Sequence, residues 1–350
     1  MPRRAFPLLL LPMAGALTLL VLAACSSGDD GTSTASPTGS GPPPAGLLLY
    51  RDGAGDLVAL ELQTGDSFRR PIDVANEAFL TAACTRDGSQ IAYLRQDFSE
   101  IDREVIVAGV GGSREFALPP GAQGVAWSPD GSRIAFTEFN PQTGYAISIL
   151  DVATGQQSEQ ASGDGVAGSP RWSPDGTRIA FHAPSGLLSQ IWLYEVGSGA
   201  DQATRITDGA GAFDPDWSLD GERLVISGVA EDQSFQIFEL VADTGETTQL
   251  TDSDVFKRLP RYSPGGDAIA FTGSVIVPVV SRTATKLHQF GVFLIDPDGS
   301  GERAITADPQ LNPSAGIDPF LDALLIGWCP RGEWLDESWS EVIAAAPESQ

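Results

Sequence analysis

Few side chains in this 350-residue sequence could act as catalytic groups. It contains two histidines, His182 and His288, and three cysteines, Cys25, Cys84 and Cys329. A Ser-His-Asp triad would have to use one of these histidines, and no Gly-x-Ser-x-Gly elbow is present. No Cys-x-x-Cys pair or cysteine–histidine cluster could hold zinc. We therefore predict a non-enzymatic protein without catalytic residues, metal or cofactor, and we interpret His182 as a residue at the end of a strand.

Three charged residues could form a polar binding site. Arg171, Asp216 and Arg261 recur at intervals of 45 residues, each directly before an aromatic residue. If these positions line an internal channel, they could form a charged sector that binds a polar ligand. The alternative is a ladder of ion pairs that joins neighbouring structural units. The sequence leaves both interpretations open.

An apolar segment followed by basic residues occupies residues 273–289. Residues 275–280 read VIVPVV, and Arg282, Lys286 and His288 follow. We predict a lengthened hairpin, and an apolar hairpin that projects from its domain is a candidate for partner binding. The residues predicted to contact a partner are Val275, Ile276, Val277, Arg282, Lys286 and His288. The alternative is that the hairpin folds across the protein's own surface.

Residues 296–302 read DPDGSGE and place oxygen ligands at alternating positions, as calcium loops do. They lack the complete spacing of an EF-hand. They also fall where a turn between strands is expected, and Asp, Gly and Ser are the usual residues of such turns. We therefore predict a turn without a bound metal.

A repeated unit positions these residues. Its clearest copy, residues 169–181, reads SPRWSPDGTRIAF. Ser-Pro-Asp-Gly suits a tight turn, because Pro presets φ and Gly accepts a positive φ, and the apolar triplet after it suits a strand buried on both faces. The residue before the turn is the anchor of each unit. The anchors are Cys84, Trp127, Trp172, Trp217, Tyr262 and Trp328, at spacings of 43, 45, 45, 45 and 66.

This period predicts an all-β fold, a six-bladed β-propeller of four-stranded antiparallel blades. A turn of the kind that follows a third strand precedes the first anchor, so the chain begins part-way through a blade. Residues 47–50, 57–62 and 68–72 are predicted to complete the blade whose inner strand is residues 323–328. The insertion at residues 273–289 is expected to explain most of the spacing of 66. Residues 46–340 would form the propeller and 341–350 a C-terminal tail.

The repeats resemble those of the TolB-like propeller family over about residues 46–335. The copies at Trp127, Trp172 and Trp217 are the specific ones. The resemblance implies a binding protein rather than an enzyme. TolB itself carries a separate α/β domain ahead of its propeller, whereas this sequence has only a short polar segment there, so the docking role of that domain does not transfer.

The N-terminal residues predict export and lipidation. Residues 1–24 combine an arginine-containing start with an apolar stretch, as signal peptides do, and Leu-Ala-Ala precedes Cys25. This ending resembles the lipobox of bacterial lipoproteins and implies that Cys25 is acylated; a single spanning helix is the alternative. Residues 25–45, rich in Ser, Gly and Pro, are predicted to be a flexible tether. The predicted location is extracytoplasmic, with the lipid on Cys25 anchored in a bacterial cell membrane.

The charge of the chain limits its partners. The formal net charge is −25, with 46 acidic and 21 basic residues, and such a surface repels nucleic acid and anionic lipid. We predict a monomeric propeller that binds a protein partner in the cell envelope as a scaffold. The alternatives are capture of a glycan or peptide in the channel, and a degenerate relative of a hydrolase or lyase.

Two cysteines fall in the first and last units, which ring closure makes neighbours. A disulfide between Cys84 and Cys329 would lock the closed ring, provided that their Cα atoms lie within about 7 Å of each other. Disulfides persist in the compartment that the leader predicts.

Overall fold

The computed structural model describes residues 43–51, 57–70, 77–97, 103–109, 112–199, 202–253, 256–278, 286–305 and 324–331. The predicted signal peptide, Cys25, most of the predicted tether and the C-terminal tail lie outside the described residues. In the described ranges the regular secondary structure is β-strand. None of those residues forms an apolar helix of membrane-spanning length.

The described residues form 24 strands in six antiparallel sheets of four. In chain order the strands are β1 (Leu47–Arg51), β2 (Leu57–Glu61), β3 (Ser67–Arg70), β4 (Glu77–Cys84), β5 (Gln90–Asp97), β6 (Arg103–Gly109), β7 (Gly112–Leu118), β8 (Gln123–Trp127), β9 (Arg133–Asn140), β10 (Gly144–Asp151), β11 (Gln157–Gly163), β12 (Gly168–Trp172), β13 (Arg178–Ser185), β14 (Leu188–Glu195), β15 (Thr204–Arg205), β16 (Ala212–Trp217), β17 (Arg223–Val229), β18 (Phe235–Val241), β19 (Thr247–Gln249), β20 (Lys257–Tyr262), β21 (Ile269–Pro278), β22 (Lys286–Ile295), β23 (Arg303–Ala304) and β24 (Leu324–Cys329).

These sheets are the six predicted blades. Blades 1 to 5 are β4–β7, β8–β11, β12–β15, β16–β19 and β20–β23, each in order from inner to outer strand. Blade 6 combines the last strand with the first three, in the order β24, β1, β2, β3. Consecutive inner strands contact one another around the ring, and β24 contacts both β20 and β4. The predicted six-bladed propeller and its closure by both chain ends are therefore confirmed.

The apolar triplets of the second strands build the core between blades. Ile134, Ala135 and Phe136 in blade 2 are completely buried, as are the corresponding residues of blade 3. Phe136 belongs to a cluster with Leu94 of blade 1, so each second strand packs against the preceding blade. Full burial of such side chains stabilises the fold by about 1.5–3 kcal/mol each.

The anchor residues tie neighbouring inner strands together. Trp127 Nε1 donates a hydrogen bond to the carbonyl of Ala83 in blade 1 at 3.1 Å, and Trp217 Nε1 donates to the carbonyl of Arg171 in blade 3 at 3.1 Å. Each indole therefore combines a buried apolar face with a hydrogen bond across the blade boundary.

The Ser-Pro-Asp-Gly turns are held by their own side chains. In blade 2, Ser128 Oγ donates to Asp130 Oδ1 at 2.5 Å, and the amide of Ser132 donates to the same oxygen at 3.1 Å. The hydrogen bond from Ser128 is the main reason that the pKa of Asp130 falls to about 2. Gly131 has φ 68°, which only glycine adopts without strain. The turn is thus fixed by local chemistry, independently of the rest of the blade.

The two ends of the propeller differ in what they present. Residues at the anchor turns of all six blades line one cavity, so these turns face the same end, which we call the turn face. Because the strands of each blade are antiparallel, the hairpins between second and third strands lie at the opposite end, which we call the hairpin face.

Blade 5 carries the longest hairpin in the described part of the chain. Its strands β21 and β22 have ten residues each and pair from Ile269–Ile295 to Pro278–Lys286. The hairpin from Ile269 to Ile295 has 27 residues, whereas that of blade 4, from Leu224 to Leu240, has 17. The last anchor spacing of 66 exceeds the usual 45 by 21 residues. The longer hairpin accounts for ten of these 21 residues. The prediction that the insertion explains most of that spacing was wrong, because eleven extra residues follow Ile295.

Candidate functional site

A bulge interrupts every inner strand, and in blades 2 to 5 it lies at the same place. Register against the second strand shifts in blades 2 to 5 between Gln123 and Ala126, Gly168 and Arg171, Phe213 and Asp216, and Arg258 and Arg261, and blades 1 and 6 show a corresponding shift. In blades 2 to 5 the third residue before the anchor has a positive φ: Gly124, Ser169, Asp214 and Leu259. A β-bulge bends its strand and redirects side chains.

The structure pairs two of the three predicted channel residues. Arg171 Nε lies 3.2 Å from Asp216 Oδ1, which joins blade 3 to blade 4. The other carboxylate oxygen of Asp216 accepts the amide of Tyr262 in blade 5 at 2.9 Å. Arg171 and Asp216 therefore form part of an ion-pair ladder between neighbouring blades, which is one of the two arrangements predicted from the sequence.

Arg261 does not join that ladder. It is 6% exposed, and its Nη1 donates to the carbonyl of its neighbour Pro260 at 2.6 Å. Its Nε is buried without a hydrogen-bond partner. Among the described residues no carboxylate oxygen lies within 4.0 Å of its guanidinium nitrogens. Arg261 is therefore a buried cation without a direct ion pair.

The two arginines influence each other. Burial, followed by the positive charge of Arg261, lowers the pKa of Arg171 to about 9 although Asp216 opposes both effects. Burial also lowers the pKa of Arg261, again opposed by Asp216. Arginine keeps its proton in proteins, so Asp216 lies near two positive charges.

A second charged cluster lies closer to the hairpin face. Asp214, which is 2% exposed, accepts Arg258 Nε at 2.5 Å, Ser169 Oγ at 3.1 Å and Ser227 Oγ at 3.2 Å. Burial by itself would raise the pKa of Asp214, but the ion pair with Arg258 outweighs it and holds the pKa well below its usual range. The carboxylate joins side chains from blades 3, 4 and 5.

His182 packs against this cluster. Its Nδ1 accepts the amide of Asp214 at 3.4 Å, and its ring occupies the space beside Gly168, where a Cβ would approach the ring to 2.8 Å. Burial lowers the pKa of His182 to about 4, Asp214 opposes this effect and Arg258 adds to it. The prediction that His182 ends a strand was wrong, because β13 continues to Ser185 and His182 pairs with Ile191 inside it. Its side chain is a neutral, buried neighbour of the charged cluster.

Aromatic rings surround Arg258. Its Cζ lies 4.8 Å from the ring centroid of Phe213 and 5.4 Å from that of Phe235. Phe235 lies in turn 4.9 Å from Phe256. Cation–π contacts of this kind stabilise a partly buried guanidinium, so aromatic side chains of blades 4 and 5 help to hold Arg258 in place.

Sequence reasoning missed Asp214, Arg258 and the aromatic wall. The signal was present, because Arg258 stands four residues before its anchor, where the other copies carry Gln123, Gly168 and Phe213. Among the copies of the repeat, Arg258 is therefore the charged exception at this position, and that difference identifies it. The bulge itself gives no such signal, since Ser169, Asp214 and Leu259 are ordinary residues at a conformation that glycine favours.

The cluster lacks the hydrogen-bonding pattern of a hydrolase. Ser169 and Ser227 donate their hydroxyl protons to Asp214, whereas a nucleophilic serine would donate to a histidine. In the described part of the channel, no serine hydroxyl bonds His182. The arrangement can hold blades together and can bind a charged group, but it does not form a nucleophile–base pair.

A cavity of about 230 Å³ opens at the turn face. Five aromatic anchors line it together with residues of the turns that follow them, and Asp216 is also part of its lining. The aromatic lining residues are Trp127, Trp172, Trp217, Tyr262 and Trp328. The cavity therefore leads from solvent to the Arg171–Asp216 pair.

The predicted partner residues lie in the added part of the blade 5 hairpin. In the backbone register of β21 and β22, Val275 pairs with Gln289, Ile276 with His288 and Pro278 with Lys286. Val277 is also on β21, while Arg282 lies outside the described residues. The hairpin is thus a continuous two-stranded ribbon on the hairpin face.

Three exposed apolar residues lie on that same face in blade 3. Leu187 is completely exposed at the apex of the β13–β14 hairpin, Leu188 beside it is 46% exposed, and Val166 in the connection from β11 to β12 is 45% exposed. Gly165 lies against Pro184, where a Cβ would come within 2.7 Å of its Cγ, so the connection and the hairpin are adjacent. Sequence reasoning missed this group, although Leu-Leu after Gly186 at a hairpin apex was visible.

A disulfide joins Cys84 and Cys329 in the structure, with a Cα–Cα distance of 5.5 Å and a sequence separation of 245. It links the inner strands of blades 1 and 6 beside the seam of the ring. Arg331, just after β24, adds a contact to Glu61 Oε2 of β2 at 2.7 Å.

Residues 296–302 are engaged in contacts within the protein. The amide of Ser300 donates to Asp298 Oδ1 at 2.9 Å, which is the turn chemistry that was predicted. Glu302 pairs with the buried Lys257 Nζ at 2.6 Å. Across the described ranges, no group of three or more His, Cys, Asp or Glu side chains is placed to hold a metal ion.

Comparison with known proteins places this geometry in a family. The sequence profile described as "TolB beta propeller domain" matches residues 80–314. No curated protein matches the sequence.

Solved structures agree in fold. TolB from Acinetobacter baumannii is similar with a TM-score of 0.62 and 18% identity, over 82% of this chain and 67% of that chain. The putative TolB from Agrobacterium tumefaciens is similar with a TM-score of 0.54 and 18% identity, over 74% and 88%. Hydrazine synthase from Kuenenia stuttgartiensis has a TM-score of 0.51 and 17% identity, over 67% of each chain. At these identities the similarity establishes the fold alone.

Proposed function

The chain belongs to the TolB beta propeller family, and on that premise we propose that it is a non-enzymatic scaffold that binds a protein partner in the cell envelope. The propeller acts as a rigid support, and the hairpin face carries the docking surface. Lipid on Cys25 anchors the protein, and residues 25–45 hold the propeller away from the membrane. This proposal places the protein outside the cytoplasm.

The exposed apolar residues of the hairpin face carry the proposal. Leu187 and Leu188 of blade 3 are exposed, as is Val166 in the connection from blade 2 to blade 3. The long hairpin of blade 5 adds a run of valine and isoleucine at the same end. Apolar residues grouped on one face of a soluble propeller are typical of a protein interface. These exposed side chains do not contribute to the core, which is built from the buried apolar strands of the blades.

The charge at this face indicates what the partner presents. The sequence has a net charge of −25, yet the inserted segment 273–289 includes the basic residues Arg282 and Lys286 together with His288. A partner with an apolar patch and an acidic rim complements that surface. The acidic remainder of this protein repels the same rim, so the partner does not bind elsewhere. The partner is therefore expected to dock against the hairpin side.

The test is a crosslinked pull-down from the organism's own membranes with a hairpin-exchange variant. Residues 275–289 are replaced by AEDQS, the sequence of residues 230–234. The pair Ser274–Phe290 corresponds to the pair Val229–Phe235 in blade 4, so the exchange removes ten residues and keeps the register. We expect the partner to be captured by the wild type and lost from the variant.

The lipid anchor has a test of its own. When cells are fractionated, the Cys25→Ala variant should move from the membrane fraction to the soluble fraction.

A matched pair of substitutions controls for surface hydrophobicity. Leu187→Ser with Leu188→Ser alters the hairpin face, whereas Leu219→Ser alters a 42% exposed leucine on the turn face. The first variant should capture less partner and the second should capture as much as the wild type. Equal capture by the wild type and the hairpin-exchange variant would contradict the proposed interface.

A further inference from the structure

Two arginines, Arg171 with a 12% exposed side chain and the buried Arg261, lie near a single carboxylate in the channel. Arg171 pairs directly with Asp216, and the second oxygen of Asp216 is occupied by the amide of Tyr262. Arg261 has a carbonyl of its own strand as its hydrogen-bond acceptor. The local set therefore consists of two positive charges and one negative charge.

Neighbouring groups do not neutralise the excess charge. Asp214 is the next carboxylate, and it is paired with Arg258 at 2.5 Å. His182 is neutral at physiological pH because burial lowers its pKa to about 4. The channel side chains of blades 3 to 5 thus carry one net positive charge, inside a protein whose net charge is −25. A buried charge without a partner is strongly unfavourable.

The same region has hydrogen-bond donors without acceptors. Arg261 Nε and Trp172 Nε1 are buried and have no partner. The corresponding indoles of Trp127 and Trp217 do bond a carbonyl of the preceding blade. The unpaired Nε of Arg261 calls for an acceptor, and the cavity that reaches Asp216 provides a route from the turn face.

We propose that the channel is a binding site for one ligand carboxylate, which Arg261 and Arg171 hold next to Asp216. One carboxylate would balance the charge of the cluster and would accept hydrogen bonds from the guanidinium groups, which match it in shape. The aromatic anchors around the cavity would contact an apolar or aromatic part of the same ligand. This site is independent of the hairpin surface, because it opens at the opposite face.

Isothermal titration of the full-length protein in detergent, at constant ionic strength set with chloride, tests the site. The probes are acetate, N-acetylphenylalanine and N-acetylphenylalaninamide, which differ in the carboxylate and in the aromatic part. We expect saturable one-to-one binding of N-acetylphenylalanine and at least about tenfold weaker binding of its amide, since a hydrogen bond to a charged group contributes about 1.5–3 kcal/mol. Acetate binding of similar strength assigns the site to small acids, and a requirement for the larger probe assigns it to a peptide terminus.

Variants identify the residue responsible. Arg261→Gln should weaken binding of N-acetylphenylalanine at least about tenfold. Arg223→Gln, which removes a 46% exposed arginine paired with Glu239, should leave it unchanged. The comparison of acid and amide on the wild type needs no variant and decides the matter if Arg261→Gln fails to fold. Equal binding of acid and amide, or no binding of either, would overturn the proposal.

Discussion

At the scale of single residues, the channel is organised around buried charges that the repeat alone does not require. Asp214 occupies the place of Gly124, Ser169 and Leu259 in other blades, yet it bonds side chains of three blades. The positions of Arg171, Asp216 and Arg261 could be predicted from the sequence because they precede recognisable anchors. Their partners could not, since only the register of the bulged strands decides which side chains meet.

His182 should make stability depend on pH. Its pKa is lowered from 6.5 to about 4, so the unfolded chain binds a proton between these values that the folded protein does not. The folded state is therefore fully stabilised above about pH 6.5 and loses up to about 3 kcal/mol as the pH falls towards 4. Urea unfolding between pH 4.5 and 7.5 measures this slope. His182→Thr, the residue of the sister position Thr137, should flatten it, and parallel slopes in both proteins would refute the assignment.

At the scale of elements, local chemistry predicts the turns but not the bulges. Ser, Asp and Gly of the anchor turns bond one another within five residues, and for this reason the sequence pattern identifies them. The inner-strand bulge depends on pairing with the second strand and on contacts with the next blade. Leu259 adopts φ 58° there, which no local preference of leucine would predict.

Substitutions at Leu259 should reveal the strain of the bulge. A branched Cβ fits a positive φ worst, so Leu259→Ile should lower the free energy of unfolding by about 2 kcal/mol or more although the side-chain volume is kept. In Leu259→Gly, relief of strain offsets the lost side chain and the added chain entropy, so the change should stay within about 1 kcal/mol. Urea unfolding of both variants gives the comparison. If isoleucine were tolerated better than glycine, the bulge would not be strained at this residue.

At the scale of the whole molecule, the count of anchors and the early third-strand turn were enough to predict ring closure. Closure places the first and last units side by side, and the structure contains the disulfide between them. The lengths of individual connections were less accessible, because a spacing of 66 does not reveal how extra residues divide between a hairpin and a later connection. The pairing of Ile269 with Ile295 in the structure shows where the hairpin ends and the later connection begins.

Loss of the disulfide should weaken the closed ring. Cys84→Ser with Cys329→Ser removes a link between residues 245 apart, and the free energy of unfolding should fall by about 2–4 kcal/mol, mainly because the unfolded chain is no longer constrained. Urea unfolding measures the change. The wild type in reductant should behave like the double variant, and identical midpoints with and without reductant would count against a bond in the folded protein.

Blade 6 also imposes an order on the folding of the chain. Its strands β1 to β3 are synthesised first, yet Leu47 pairs with Cys329, which follows 282 residues later. Contacts of such large sequence separation form slowly, and an unpaired edge strand can recruit other chains in the meantime. Until β24 arrives, aggregation competes with completion of the ring. Because the Cys84–Cys329 bond joins β24 to β4 across the seam, its formation ends this competition by holding the last strand in the ring.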